Sequence, residues 1–165
     1  MSRSYELLDL DKLTIGAVGE PGQRLFLLQA RAGAELVTLK IEKVQVAALA
    51  VHLGTMLQEL PRPGHVPDAL ELEEPADPEW AIGHLAASYD PALDRVLLMV
   101  DEAVLEGDEA AQARFGLTRE QVAALAVRGT LLVEAGRPPC PLCGYPLDPR
   151  GHDCPRTNGH RAPVL

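Results

Sequence analysis

The heptapeptide Gln-Val-Ala-Ala-Leu-Ala-Val occurs twice, at Gln45–Val51 and at Gln121–Val127, an offset of 121 − 45 = 76 residues. An Ala-rich helix can repeat by chance, so the flanks decide. Upstream, Arg24-Leu25-Phe26-Leu27-Leu28 resembles Arg95-Val96-Leu97-Leu98-Met99, and further upstream Ile15-Gly16 matches Ile82-Gly83. The order is the same in both halves and only the loop lengths differ, which is the signature of a duplicated unit. Such a chain is constrained to build two like bodies and to bury them against each other.

Within each unit the pattern predicts strand, strand, strand, helix. In the first, Leu13–Val18 turns at Gly19-Glu20-Pro21-Gly22 into Leu25–Ala30, and a second turn at Arg31-Ala32-Gly33-Ala34 leads to Leu36–Ile41. A helix follows, with Val46, Leu49, Leu53, Met56/Leu57 and Leu60 on one face, stopped by Pro61 and Pro63. The second unit begins near Trp80, turns at Asp90-Pro91 and runs through Arg95–Asp101. A third strand carries Ala111, Ala113, Phe115 and Leu117 in alternation. Thr118 and Gln121 then form a capping-box pattern at the second helix, which Gly136 closes. Equivalent apolar positions of the two helices agree except that Gly129 stands where the first has Leu53.

Each βββα unit has one apolar sheet face and one apolar helix stripe, and neither buries both well alone. The expectation is an α+β fold: two pseudo-repeats of βββα forming antiparallel sheet or sheets covered by two helices. Repeat one spans about 5–60, a Pro- and acid-rich linker 61–78, and repeat two about 79–136. Together these make one domain over 1–136, with a small metal-binding knuckle and tail over 137–165.

The knuckle uses every cysteine of the 165-residue chain. Cys140 and Cys143 lie two residues apart in a turn that Gly144 permits, and His152 and Cys154 follow after a Pro/Gly-rich loop. Three thiolates and one imidazole make a closed, tetrahedral set, which favours a structural zinc ion at Cys140, Cys143, His152 and Cys154. His160 competes with His152 for the fourth position. A redox Cys-x-x-Cys would sit at a helix N-terminus, whereas Pro141 and Gly144 belong to a turn. The Pro-Cys-x-x-Cys half of a zinc deaminase signature is present, but no upstream histidine supplies the His-x-Glu that the chemistry needs.

Elsewhere the chemistry is sparse. His52 reads as a surface or half-buried helix position, His65 as a solvated linker residue, and His84 as a core-edge histidine in register with Trp80 and Ile82. Asp101-Glu102 at a strand end has no partner motif. There is no Gly-x-Gly-x-x-Gly, P-loop or Gly-x-Ser-x-Gly, and no catalytic residue is assigned.

Charge narrows the partners. The net charge is −9, and from Asp68 to Glu109 thirteen carboxylates face one base, Arg95. That sign repels phosphate backbones, so nucleic acid is not the expected partner. The tail is the opposite, with Arg137, Arg150, Arg156 and Arg161 outnumbering Asp148 and Asp153. The segregation suits a charge-complementary surface for a partner or for the tail itself. No apolar run approaches a membrane span and residues 1–6 lack the apolar stretch of a signal peptide, so a cytoplasmic protein is expected.

The combined pattern resembles the bacterial domain-of-unknown-function family 3090, of actinobacterial type. The resemblance rests on Leu8-Asp9-Leu10-Asp11 and on Gly136-Arg137-Pro138-Pro139-Cys140-Pro141-Leu142-Cys143-Gly144. It continues through Pro146-Leu147-Asp148-Pro149, Gly151-His152, Cys154-Pro155-Arg156 and Asn158-Gly159. It carries no activity with it. Members are encoded near a phosphomutase-like and a phosphatidylinositol-kinase-like protein, which implies a shared pathway or complex. Two functions stand open at this point. One is a non-enzymatic interaction or adaptor module with a protein partner. The other is an enzyme or ligand-binding protein for a phosphorylated or nucleotide-like small molecule; a third reading has the knuckle touching nucleic acid.

Overall fold

The turn signals between alternating apolar runs fold as hairpins, and two three-stranded meanders result. The computed structural model describes residues 2–20, 22–135 and 141–143. In chain order the elements are β1 (Tyr5–Leu7), β2 (Lys12–Val18), β3 (Leu25–Ala32), β4 (Glu35–Ile41) and α1 (Lys43–Gln58), then β5 (Ile82–Asp90), β6 (Arg95–Glu102), β7 (Gln112–Leu117) and α2 (Arg119–Ala135). The first sheet has the order β2-β3-β4 and the second β1-β7-β6-β5. The fold is α+β, with two sheets and two helices, and the expected βββα succession is present twice as β2β3β4α1 and β5β6β7α2. The repeat at Gln45 and Gln121 places its glutamine at the start of α1 and of α2.

One feature departs from the sequence reading, and a second settles a point that it left open. Residues 5–7 do not belong with the first unit: β1 pairs in parallel with β7, Tyr5 opposite Ala113 and Leu7 opposite Phe115. Gly116 makes this possible, because a Cβ there would lie 2.2 Å from the Leu8 carbonyl oxygen. The sheets are also joined. Glu79 N–H donates to Thr38 O (2.8 Å), Lys40 N–H to Trp80 O (2.9 Å) and Ala103 N–H to Ala81 O (2.8 Å), so residues 79–81 run between β4 and the end of β6. Trp80 is anchored there by its indole N–H, which donates to Arg3 O (3.0 Å).

Both helices lie on the inner faces, over Phe26, Leu28 and Ala30 of β3 and Val96, Leu98 and Val100 of β6, all buried. Each helix begins with the same device. The Thr118 N–H donates to Gln121 Oε1 (3.0 Å) while the Gln121 N–H donates to Thr118 Oγ1 (3.1 Å). At α1 the Glu42 N–H donates to Gln45 Oε1 (2.8 Å). These are capping boxes, and they leave the glutamine NH2 groups free to donate elsewhere.

Those NH2 groups cross to the other unit. Gln45 Nε2 donates to Ile82 O (3.1 Å) and Gln121 Nε2 to Leu10 O (2.8 Å). Two turns along, His52 Nε2 meets Ala87 O (3.3 Å) and Arg128 Nε donates to Ile15 O (3.1 Å). The helix residues differ by 121 − 45 = 128 − 52 = 76, and the residues whose carbonyls they meet by 82 − 10 = 87 − 15 = 72. The duplication is therefore expressed as two equivalent clasps, and Ile15 corresponds to Ala87. The sequence match of Ile15-Gly16 with Ile82-Gly83 was in the wrong register.

The helices cross where the repeat breaks. A Cβ on Gly129 would lie 3.3 Å from Ala50 Cβ and 3.4 Å from Val46 Cγ1. The glycine that replaces the leucine of the first repeat thus lets α2 approach α1. Gly129→Leu is expected to destabilise by about 1–3 kcal/mol through overpacking, although leucine is the better helix former by about 1 kcal/mol. Denaturant unfolding measures it, and a neutral or stabilised variant would mean that the helices do not meet at Gly129.

Candidate functional site

The two units are built alike but not covered alike, and the differences define the open surfaces. The outer face of the first sheet carries three buried polar side chains in one cross-strand row, Thr14, Gln29 and Thr38. Buried polar groups need partners. Theirs come from the segment after α1, which crosses this face as a strap. Thr14 Oγ1 donates to Leu70 O (2.5 Å). The Gln29 amide donates to Glu73 O (2.9 Å) and Thr38 Oγ1 (3.0 Å), and accepts from the Glu73 N–H (2.7 Å). Leu72 lies over Gly16, where a Cβ would sit 2.3 Å from Leu72 Cγ. The Glu73 carboxylate is held by Arg31 (3.0 Å) and Lys12 (3.4 Å), and the Arg31 hydrogen bond leads in keeping its pKa below the usual range. The stretch 69–78, read as part of the linker, is thus an ordered cover.

The equivalent row of the second sheet is Ala86, Met99 and Arg114, as the clasp offset (14 + 72 = 86) and the strand registers require. Nothing among the described residues lies across it, and a shallow hollow of about 390 Å³ opens there. At its rim His84 Nδ1 stands 3.7 Å from Asp101 Oδ2. This pair occupies the places of Lys12 and Arg31. His84 was expected at the core edge, but its side chain is 73% exposed. The reason is a bulge between Ile82 and His84, which reverses the alternation that Trp80 and Ile82 set. Gly83 sits at the bulge, where a Cβ would fall 2.9 Å from Ala103 Cα.

The second difference lies under the helices. On the α2 side, Leu13, Ala124 and Leu125 are each no more than 2% exposed. Their counterparts on the α1 side, Leu85, Ala48 and Leu49, line an open groove of about 260 Å³ with Gln45 and His52. Ala48 is exposed, and Val44 and Val51, one turn to either side of it on α1, are 76% and 71% exposed. The groove is therefore apolar along its length, and His52 and Gln45 at its polar edge are already engaged in the clasp.

Other titratable groups are occupied with structure. Glu102 accepts from Ser2 Oγ (2.5 Å) and the Ala111 N–H (3.0 Å), and the Ser2 bond leads in holding its pKa down. The Tyr5 phenol is pushed up to about 12, chiefly by burial and then by its hydrogen bond to Glu79. A polar hollow of about 440 Å³ at the strap's end is lined by Arg31, Glu35 and Glu79 among others, but Arg3 already pairs with Glu35 (2.7 Å). Among the described residues no three His, Cys, Asp or Glu side chains gather to hold a metal. Of the expected zinc ligands only Cys143 is described, in a turn at residues 141–143; Cys140, His152 and Cys154, and the competitor His160, lie outside the described residues. Among the described residues no helix is long and apolar enough to cross a membrane.

A duplicated α+β body in which, among the described residues, one sheet is covered and the other open is the class of protein that the fold defines. The family model for the protein of unknown function DUF3090 matches residues 5–154, and the chain belongs to that family. No curated protein and no solved structure matches the chain. The two open surfaces were missed in the sequence, since nothing in it says which sheet face the Pro-rich segment crosses. Alternation does mark the uncovered row, where Ala86 and Met99 replace the polar Thr14 and Gln29.

The strap makes a test. Gln29→Met keeps the volume but orphans the Glu73 N–H and carbonyl, at about 1–3 kcal/mol per group left unpaired in the interior. Unfolding should shift accordingly and limited proteolysis should begin within residues 69–77. Unchanged protection of that segment would mean that Gln29 does not hold it.

Proposed function

We propose that this chain is a non-enzymatic binding module that takes a protein partner through the groove between α1 and β5, with a structural zinc ion in its C-terminal knuckle. One observation carries the first half. The groove is the place where the two clasps differ in packing, closed under α2 and open under α1, with an apolar floor of Ala48, Leu49 and Leu85 flanked by exposed Val44 and Val51. A groove of about 260 Å³ accepts one or two large apolar side chains, which suits an anchor on a protein segment better than a phosphorylated metabolite. The acidic composition supports a basic rim on that partner.

The zinc reading rests on the donor set alone. Cys140, Cys143, Cys154 and His152 would hold the ion, and four protein ligands leave no position for a reacting water. The ion's contribution is then to order a tail too short and polar to fold by burial.

The groove is tested by affinity purification from the native host, comparing the wild-type chain with Ala48→Glu and with Val127→Glu, a charge on the exposed face of α2. Partners lost with Ala48→Glu and kept with Val127→Glu are the expected result, while identical partner sets would end the groove reading. For the metal, purified protein should carry about one zinc per chain. His152→Ala should abolish binding and His160→Ala should not. Freely alkylated thiols and no zinc, in protein never exposed to chelator, would remove the site.

A further inference from the structure

We infer that the partner at the α1 groove is a second copy of this chain, seated α1 against α1, antiparallel, about a two-fold axis. The inference rests on the groove reading and names its occupant. Fifteen consecutive residues, Val44–Gln58, carry no Asp, Glu, Lys or Arg, the longest such run in the chain. They make up nearly all of α1, yet one side of this helix faces solvent. A helix apolar all round is one that is covered all round. The repeat supplies the control: at the places of Val44 and Gln58, α2 carries Glu120 and Glu134 (44 + 76 and 58 + 76). The exposed residues also have the spacing of a helix seam. Val44, Ala48, Val51 and Thr55 are all exposed, in steps of four, three and four, the a/d line along which two helices pack. In α2 the same line is broken, since Glu120 heads it and Ala124 is only 2% exposed.

Charge selects the second copy. A chain of net charge −9 meets its own copy most easily where carboxylate does not oppose carboxylate, and this run is such a surface. The seam is symmetric about its own middle, 44 + 55 = 48 + 51 = 99, so in an antiparallel pair residue n comes level with residue 99 − n of the other helix. Val51 then lies over Ala48, on the floor of the groove, and supplies the apolar anchor in both directions. Val44 lies beside Thr55. Glu59 comes level with position 99 − 59 = 40, about 4.5 Å beyond Lys43 along the axis, at the head of the other α1. Lys40 and Lys43 stand at that head and form the basic rim. Among the described residues neither Lys43 nor Glu59 has a side-chain ion-pair partner. A carboxylate at a helix N-terminus also meets the positive end of the helix dipole. One helix thus provides seam, anchor and both end charges for its own twin.

Analytical ultracentrifugation of the full chain under reducing conditions tests this. A single helix seam is a small interface, so a monomer–dimer equilibrium with a Kd on the order of 10–100 μM is expected. Val51→Glu should raise that Kd at least about tenfold by placing unpaired carboxylates in the seam, and Val127→Glu on α2 should leave it unchanged. Lys43→Glu and Glu59→Lys should each weaken the dimer about threefold to tenfold, because two exposed ion pairs become like-charge pairs. An equimolar mixture of these two variants should associate as the wild type does, since each then meets its opposite. Circular dichroism checks folding, and Val44→Glu takes the place of Val51→Glu should that variant unfold. A monomer at about 500 μM, a dimer indifferent to the seam charge or broken equally by Val127→Glu, or a mixture no tighter than its components would each overturn the assignment. The groove reading fails separately: a monomer that loses a different host protein on Ala48→Glu keeps the groove and excludes only the second copy.

Discussion

The structure depends on a glutamine used twice in two ways. At Gln45 and at Gln121 the amide oxygen closes a capping box and the amide nitrogen reaches a carbonyl of the other unit. One side chain thereby fixes where its helix starts and which sheet it lies on. Such a donor and acceptor pair is lost in any substitution that keeps only size or only polarity; glutamate, for example, would retain the cap and lose the crossing bond. His52 and Arg128 repeat the crossing two turns later, so each helix is pinned at two points to the unit that it does not belong to. Neither unit is complete without its twin, and the hydrophobic core is one body shared by both.

Duplication on this pattern leaves two outer faces with the same geometry and frees them to differ in chemistry. The first is polar inside, and its buried amide and hydroxyls are satisfied by main-chain groups of the strap. The second presents alanine and methionine at the same places. A polar floor specifies one register of its cover, because an unmatched hydrogen bond is costly, whereas an apolar floor imposes no such register. The two halves of the molecule therefore differ more in the chemistry of their outer faces than in how they are folded.

Much of the architecture was legible in the chain. Six of the seven strands, both helices and the Thr118–Gln121 cap follow from alternation, turn residues and capping pattern. The strand β1 was not legible, because three residues carry no periodicity and the pairing partner lies a hundred positions away. Register within the repeat was misjudged because Ile-Gly pairs occur at both strands for unrelated reasons: Gly16 yields to Leu72, whereas Gly83 accommodates a bulge. That same bulge moved His84 from the expected core edge to the surface. The open groove under α1 is a difference in packing between nearly identical helices, and no residue type announces it. The expected knuckle is the reverse case: cysteine and histidine spacing suggests it, and of its four positions only Cys143 lies among the described residues.

The parallel strand β1 has a kinetic corollary. Tyr5 pairs with Ala113, so 108 residues separate the two sides of this ladder. Every other pairing between named strands is a hairpin between neighbours in sequence, which closes early and locally. Closure of so long a loop is entropically slow and awaits completion of the second meander. The residues that seal the molecule, Tyr5 against Glu79 and the Arg3 carbonyl against Trp80, are translated ahead of the partners they need and are the last to find their places. During synthesis the edge of β7 becomes available only when its partner has long been waiting, and the N-terminal arm acts as the final bolt on a body assembled behind it.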